Sequence, residues 1–311
     1  MNPIQALLRT QKVGILDGAT STLLGERGNN ISGKLWSARV LYENPSAVQE
    51  IHYDYYKAGA DFSTTISYQA TVKGFMDAGF SKHEAEKLLQ NSIFLAQAAR
   101  DTFWAETENR AGRAFPLVAA SVGAYGAYLG DGSEYRGNYG ISKAELYDFH
   151  AERFRILQNA APDILACETL PSLEEAIVLA EIASSMPKTF IWISFSCKDE
   201  AHISDGTPLS ECINALEGYD CIAALGLNCT PPEYVVSLIG AMKHVTSKPL
   251  LVYPNAGRIY DAQNKIWLGA ADGLSFADRA KIWCDAGAQL IGGCCETTLE
   301  DIASVRKALL S

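Results

Sequence analysis

Three cysteines are placed where they could act together. Cys294 and Cys295 end the run "QLIGGCC", and Cys229 ends "CIAALGLNC". Adjacent cysteines pair poorly with each other, because the geometry of such a disulfide is strained. Three thiolates at one point form a soft donor set that favours zinc over magnesium or calcium. Three protein ligands leave a fourth position open, the arrangement of a catalytic zinc site; structural sites are usually closed by four. The spacing is not C-x-x-C, so this is no zinc ribbon. The remaining cysteines, Cys167, Cys197, Cys212, Cys221 and Cys284, read as small buried hydrophobes.

Two carboxylates end other apolar runs, Asp17 in "VGILDG" and Glu168 in "DILACET". A carboxylate buried at a strand end is costly unless something cationic meets it, and a substrate ammonium would serve. The competing reading is a helix cap, with "DGAT" for Asp17 and Thr169 or Ser172 as the caps near Glu168. Aromatic residues gather in "GAYGAYLGDGSEYRGNYG", with Tyr125, Tyr128, Tyr135 and Tyr139, while Trp36 lies in "LWSARV". Their faces attract onium groups, or simply pack a long loop. His52 and His150 sit within helical stretches and read as packing residues. There is no Ser-His-Asp signature, no G-x-S-x-G and no phosphate-cradling GK[ST] ending.

These residues need a scaffold that brings distant strand ends together. Eight apolar runs rich in β-formers start at Val13, Asp61, Leu117, Asp163, Phe190, Cys221, Pro249 and Gln289. Amphipathic stretches separate them. Val48, Ile51, Tyr55 and Ala58 recur at helical spacing, and Gly59 stands where a C-cap belongs. "DRAKIWCDAGAQL" ends the same way at Gly287. The alternation predicts an α/β fold, a (β/α)8 TIM barrel in one domain over residues 1–311. A doubly wound sheet is the alternative, but no GxGxxG follows the first strand. Barrel active sites lie at the C-terminal strand ends. Asp17, Tyr68, Gln69, Glu168, Asn228, Cys229, Asn255, Cys294 and Cys295 should therefore face one mouth, roofed by loops near 25–42, 122–141 and 255–274.

The bulk numbers fit this reading. The chain has 311 residues, 48% hydrophobic and 20% charged, enough for a sizeable core. Its net charge of −10 argues against nucleic acid or an anionic membrane as partner. No apolar run approaches a membrane span, and "MNPIQALLRTQKVGILDG" lacks the pattern of a secretory signal. A cytoplasmic protein with reduced thiols is expected, either a monomer or a weak homo-oligomer.

The segments "ILDGATST", "ISYQAT", "VAASVGAYGAYLGDGSEYRG", "ACETLPSLEEA", "SFSCKDEAHISDGTPL", "ALGLNC", "VYPNAG" and "IGGCCETT" run in this order. Together they resemble the homocysteine S-methyltransferases, from about Val13 to Leu309. The likeness is to the short, single-domain branch that uses S-methylmethionine, with S-adenosylmethionine as a second donor. The resemblance implies a (β/α)8 barrel holding one zinc through Cys229, Cys294 and Cys295. It implies that Asp17 and Glu168 meet the homocysteine ammonium, with Thr65, Tyr68 and Gln69 near the amino-acid end. Asn228, beside Cys229, and Tyr125 and Tyr128, in the aromatic loop, complete the expected substrate contacts. Ala124 stands where the short branch has proline, and "GGCCETTL" has Leu299 where the family has proline; neither is a metal ligand. Rival readings are a zinc- or redox-responsive binding protein, a lyase or hydrolase barrel with structural cysteines, and the same transferase with betaine as donor or a selenol as acceptor.

Overall fold

β-branched and apolar runs too short to be helices pair side by side, and the helices between them cover the outside. The computed structural model describes residues 2–33, 35–261, 266–270 and 272–310. Its strands are β1 (Gly14–Ile15), β2 (Phe62–Thr64), β3 (Leu117–Gly123), β4 (Ile164–Leu170), β5 (Ile191–Phe195), β6 (Ile222–Asn228), β7 (Leu250–Tyr253), β8 (Arg258–Asp261), β9 (Ile266–Ala270) and β10 (Leu290–Ile291). Eight of them form one parallel sheet in the order β1-β10-β7-β6-β5-β4-β3-β2. β8 and β9 make a separate antiparallel hairpin within the loop after β7. That loop was expected to roof the mouth, and its residues 262–265 and 271 lie outside the described part.

The two end strands of the sheet, β1 and β2, close the barrel along a seam sewn partly by side chains. The Asp61 amide donates to the Ile15 carbonyl at 2.7 Å. The Ile15 amide donates to the Asp61 carboxylate at 3.0 Å. At the other end of the seam, the Thr64 amide donates to the Asp17 carboxylate at 2.6 Å. Two aspartates thus take the place of carbonyl acceptors where the regular ladder stops, which leaves neither amide orphaned.

Inside the barrel, Phe62, Trp192, Leu251 and Leu290 pack with small residues such as Ala119, Ala166 and Ala224. The six-residue helix Pro3–Leu8 adds Ile4 and Leu7 to this cluster. That helix was not expected from the sequence. Outside, strand residues such as Val118, Leu165, Ile193 and Leu225 pack against helix residues such as Ile51, Ile93, Phe154 and Leu238. Each such side chain contributes roughly 1.5–3 kcal/mol on burial. The helix ends at Gly59 and Gly287 adopt φ of +119° and +130°, as their sequence context predicts. One helix per strand holds only loosely. Helices Thr20–Glu26, Val40–Glu43 and Pro45–Ala58 all lie between β1 and β2. No helix among the described residues is long and apolar enough to cross a membrane.

Candidate active site

The two glycines of "GGCC" are dictated by close packing. A Cβ on Gly292 would come within 2.5 Å of the Leu16 Cβ, at the end of β1. A Cβ on Gly293 would come within 2.3 Å of Thr297. The chain therefore passes tightly beside β1 before it presents two thiols. The Cys294 amide donates to the Pro254 carbonyl at 2.8 Å, and the Cys295 carbonyl accepts from Ala256 at 3.0 Å. Both cysteines thus hang from the segment after β7. Cys229 follows β6 in a left-handed conformation, φ +50°, which turns its side chain out of the strand's alternation.

The three sulfurs meet. Cys229 Sγ lies 3.2 Å from Cys294 Sγ and 3.5 Å from Cys295 Sγ, and all three fall within 4.8 Å of one another. Zinc–sulfur bonds of about 2.3 Å at tetrahedral angles would put sulfurs about 3.8 Å apart. The trio fits one such ion with only small adjustments. Adjacent thiolates repel, so the cluster shares its protons. Cys295 is pushed down to about 3 by bonds from Cys229 and Cys294. Cys294 is held well above the usual thiol range by its bonds to Cys229 and Cys295 and by burial. Cys167, Cys197 and Cys212 are buried and apart from this trio.

The same pocket contains Asp17 and Glu168. Asp17 accepts from the Thr64 amide and, at 2.9 Å, from the Thr64 hydroxyl. Glu168 accepts from the Ser121 hydroxyl and from the Tyr253 phenol, the latter at 3.1 Å. Burial pushes both carboxyls up to about 7, and for Asp17 the charge of Glu168 adds to the effect. Among the described residues, no lysine or arginine lines the pocket.

Glu168 is set in place by a bulge. Thr169, the next residue, is left-handed at φ +56°, and the β4–β5 register shifts between Cys167 and Leu170. Asn228 holds this strain: its Oδ1 accepts from the Thr169 amide at 2.8 Å, and its amide nitrogen donates to the Thr169 hydroxyl at 2.7 Å. Asn228 lines the pocket, but its amide is spent on the bulge and on Ser194.

Thr65 and Tyr68 also line the pocket, and the Tyr68 ring meets Trp36 edge-on at 6.4 Å. Gln69 does not line it. Its side chain donates to the Ala127 carbonyl and borders a separate cavity with Tyr128 and Arg39. The structure also sets Tyr125 and Tyr128 outside the pocket. The Tyr125 amide is anchored by Glu175 at 2.5 Å, and both rings pack on Phe149 at 4.9 and 5.4 Å. The aromatic loop reaches the site instead through Tyr135, whose hydroxyl lies 3.2 Å from Cys229 Sγ. Asn255 is likewise absent from the lining. Sequence reasoning missed Ser121 and Tyr253. The available signal was a polar residue inside "LVAASVG" and a tyrosine ending "LLVY".

Comparison with known proteins follows the same lines. The homocysteine S-methyltransferase family model matches residues 14–309. Homocysteine S-methyltransferase YbgG of Bacillus subtilis is 50% identical, over 98% of this chain and 97% of its own. The crystal structure of homocysteine methyltransferase MmuM from Escherichia coli in its metallated form has a TM-score of 0.88 at 43% identity, over 98% of this chain and 99% of that one. Its oxidized form has a TM-score of 0.89 at 44% identity, over 99% of both chains. On sequence along nearly its whole length, and on fold, the chain belongs to the homocysteine S-methyltransferase family.

Proposed function

We propose that this chain moves a methyl group from a sulfonium donor to homocysteine, forming methionine. The donor is S-methylmethionine, with S-adenosylmethionine as a second one. The observation that carries this reading is the convergence on one pocket of three cysteine sulfurs and two carboxylates whose hydrogen-bond partners are all neutral. Cys229, Cys294 and Cys295 would hold one zinc ion per chain. Bound there, zinc would supply Lewis acidity that favours the thiolate form of the acceptor at neutral pH.

The protein's own side chains do the rest. Asp17 and Glu168 bind the ammonium of homocysteine, whose charge draws both carboxyls from a pKa near 7 to the ionised form. Thr64 fixes the direction of Asp17; Ser121 and Tyr253 fix that of Glu168. The acceptor sulfur is thereby aimed, a proximity effect. Trp36, Tyr68 and Tyr135 offer aromatic faces to the sulfonium, the part the sequence reading gave to Tyr125 and Tyr128. The acceptor sulfur takes the methyl carbon in line. The donor's S–CH3 bond breaks, its electron pair stays on the donor sulfur, and a neutral thioether leaves. Opposite charges vanish in that step, so a pocket that excludes water favours it. The chain would work as one cytoplasmic barrel unit on small molecules.

The test is methionine formation from homocysteine on reduced, zinc-loaded protein. S-methylmethionine, S-adenosylmethionine and betaine are offered separately, with and without a chelator. Chelator-sensitive turnover with a sulfonium donor is the expected result. No turnover with any donor, on protein shown to hold one zinc, would overturn the proposal.

A further inference from the structure

Ser194 is a buried hydroxyl on β5 that does not line the pocket and has no part in the chemistry above. It shares the inner face of its strand with Trp192, two residues before it. Its Oγ donates to Asn228 Oδ1 at 2.8 Å and lies 2.6 Å from the Tyr253 hydroxyl. Both neighbours lead to Glu168. Tyr253 bonds Glu168 Oε2 at 3.1 Å, and Asn228 grips the amide and hydroxyl of Thr169, the residue after Glu168. These bonds close a ring through Ser194, Tyr253, Glu168, Thr169 and Asn228. Every member is more than nine-tenths buried.

The chain itself ties this ring to the sulfur trio. Asn228 is followed by Cys229, whose amide donates to the Tyr253 carbonyl at 3.3 Å. Tyr253 is followed by Pro254, whose carbonyl accepts from the Cys294 amide at 2.8 Å. Asn228 and Tyr253 are register partners across β6 and β7. Ser194 therefore bridges the two side chains that join the sulfurs to Glu168.

Ser194 and Tyr253 bring two protons to three contacts, Asn228–Ser194, Ser194–Tyr253 and Tyr253–Glu168. A protonated Glu168 supplies the third, and all three then run toward Asn228. An ionised Glu168 draws the phenol proton to itself and the Ser194 proton toward the phenol, while Asn228 Oδ1 keeps the Thr169 amide. Only hydrogens move between the two states, so the frame keeps its length when an ammonium arrives.

An amino thiol held at both ends must span from the sulfur trio to the carboxylates. One methylene changes that reach by roughly 1.3 Å. A misplacement of about 1 Å can cost on the order of a hundredfold in a positioned reaction. We propose that Ser194 is a positioning residue that fixes the separation of Cys229 and Glu168, and so selects homocysteine over cysteine, which is one methylene shorter. This rests on the reading of the site as a homocysteine methyltransferase.

Ser194→Ala is the test. The variant should fold, because Asn228 keeps the Thr169 amide and Tyr253 keeps the Trp192 indole at 3.1 Å. Calorimetry on zinc-loaded wild type and variant gives Kd for homocysteine and for cysteine, and methyl transfer from S-methylmethionine is followed with each thiol. Ser194→Ala is expected to raise the homocysteine Kd about tenfold and to leave the cysteine Kd little changed. The loss of turnover should fall on the homocysteine KM more than on kcat. Zinc content and the KM for S-methylmethionine should match wild type, and Ser194→Thr, which keeps the hydroxyl, should recover part of the preference. In a Tyr253→Phe background Ser194→Ala should cost well under its effect alone. A wild type that binds both thiols alike, equal losses on both, no loss on homocysteine, or losses that add to those of Tyr253→Phe would overturn the role of Ser194. Failure of the underlying reading has a different signature: wild type would make no methionine with any donor, and the two affinities would still decide the role of Ser194.

Discussion

The two ends of the barrel bury carboxylates on opposite terms. At the end where the strands begin, Asp61 meets the Arg306 guanidinium at 2.9 Å, with Arg113 at 3.5 Å and Gln11 at 2.5 Å. At the mouth, Asp17 and Glu168 meet only neutral donors, and burial lifts both carboxyls to about 7. The first arrangement is complete without a ligand. The second has no ion-paired cation: the charge of Arg153 acts on Glu168, but its guanidinium donates to the Gly123, Ser67 and Tyr68 carbonyls. On the proposed function, burial of a charge is a structural device at one end and a binding device at the other; an ion-paired guanidinium marks the first, whereas at the mouth Arg153 acts on Glu168 only through its charge.

The contrast can be sharpened or broken by substitution. The largest effect should come from the third feature of the mouth, the sulfur trio. Cys294→Ser is expected to lose metal, measured by mass spectrometry, together with roughly a thousandfold or more in kcat/KM, about 4 kcal/mol. A metal-free variant that kept its activity would remove the trio from the mechanism. Next is Asp61→Ala, which strands Arg306 and Arg113. We expect about 3 kcal/mol lost in urea denaturation, with KM for homocysteine unaltered. Glu168→Gln should do the reverse. It relieves an uncompensated buried charge, so at pH 8 it should stabilise the ligand-free protein by about 1 kcal/mol. It should also raise KM for homocysteine roughly tenfold or more. A Glu168 variant that lost stability and kept its KM would erase the difference between the two ends.

The smallest effect is on pH dependence. Asp17 and Glu168 bind protons more tightly folded than unfolded, because burial disfavours their charge. Between the ordinary carboxyl range and about 7, the native state holds more protons, so their contribution to ligand-free stability falls as pH rises through that window. On the proposed binding mode, homocysteine needs the ionised forms. Its affinity, read as 1/KM, should therefore fall as pH drops below 7, opposite in direction to stability. Parallel pH profiles for the two measurements would contradict this account.

Most of the scaffold was legible in the sequence, because parallel strands buried on both faces leave continuous apolar runs. All eight barrel strands match the runs read from residue types, seven lying wholly within them and β4 running one residue further, to Leu170. The sulfur trio was legible for a related reason: a closed barrel brings the ends of its strands to one mouth, so cysteines that end two strands converge there. Partners across the barrel were not legible. Whether Ser121 and Tyr253 face Glu168 depends on the stagger between β3, β4 and β7, which no local pattern encodes. The aromatic loop misled for a similar reason. Tyr125 and Tyr135 look alike in sequence, but Glu175, 50 residues away, anchors the Tyr125 amide and leaves Tyr135 to reach the cysteines. The helix Pro3–Leu8 is too short to show a period, so its place in the barrel interior emerged only with the fold.

The seam between β1 and β2 gives Asp17 a second role. Its carboxylate is at once a rung that closes the barrel and the proposed seat of the acceptor's ammonium. Closure and acceptor binding then draw on the same two oxygens, and linkage requires each to influence the other. Two amide protons can serve as gauges. The Thr64 proton is held by Asp17, and the Ile15 proton is held by Asp61 at the far end of the same seam. An acceptor that keeps Asp17 ionised should slow exchange of the Thr64 proton with solvent and leave the Ile15 proton untouched, so that the barrel's own stitching reports occupancy of its mouth.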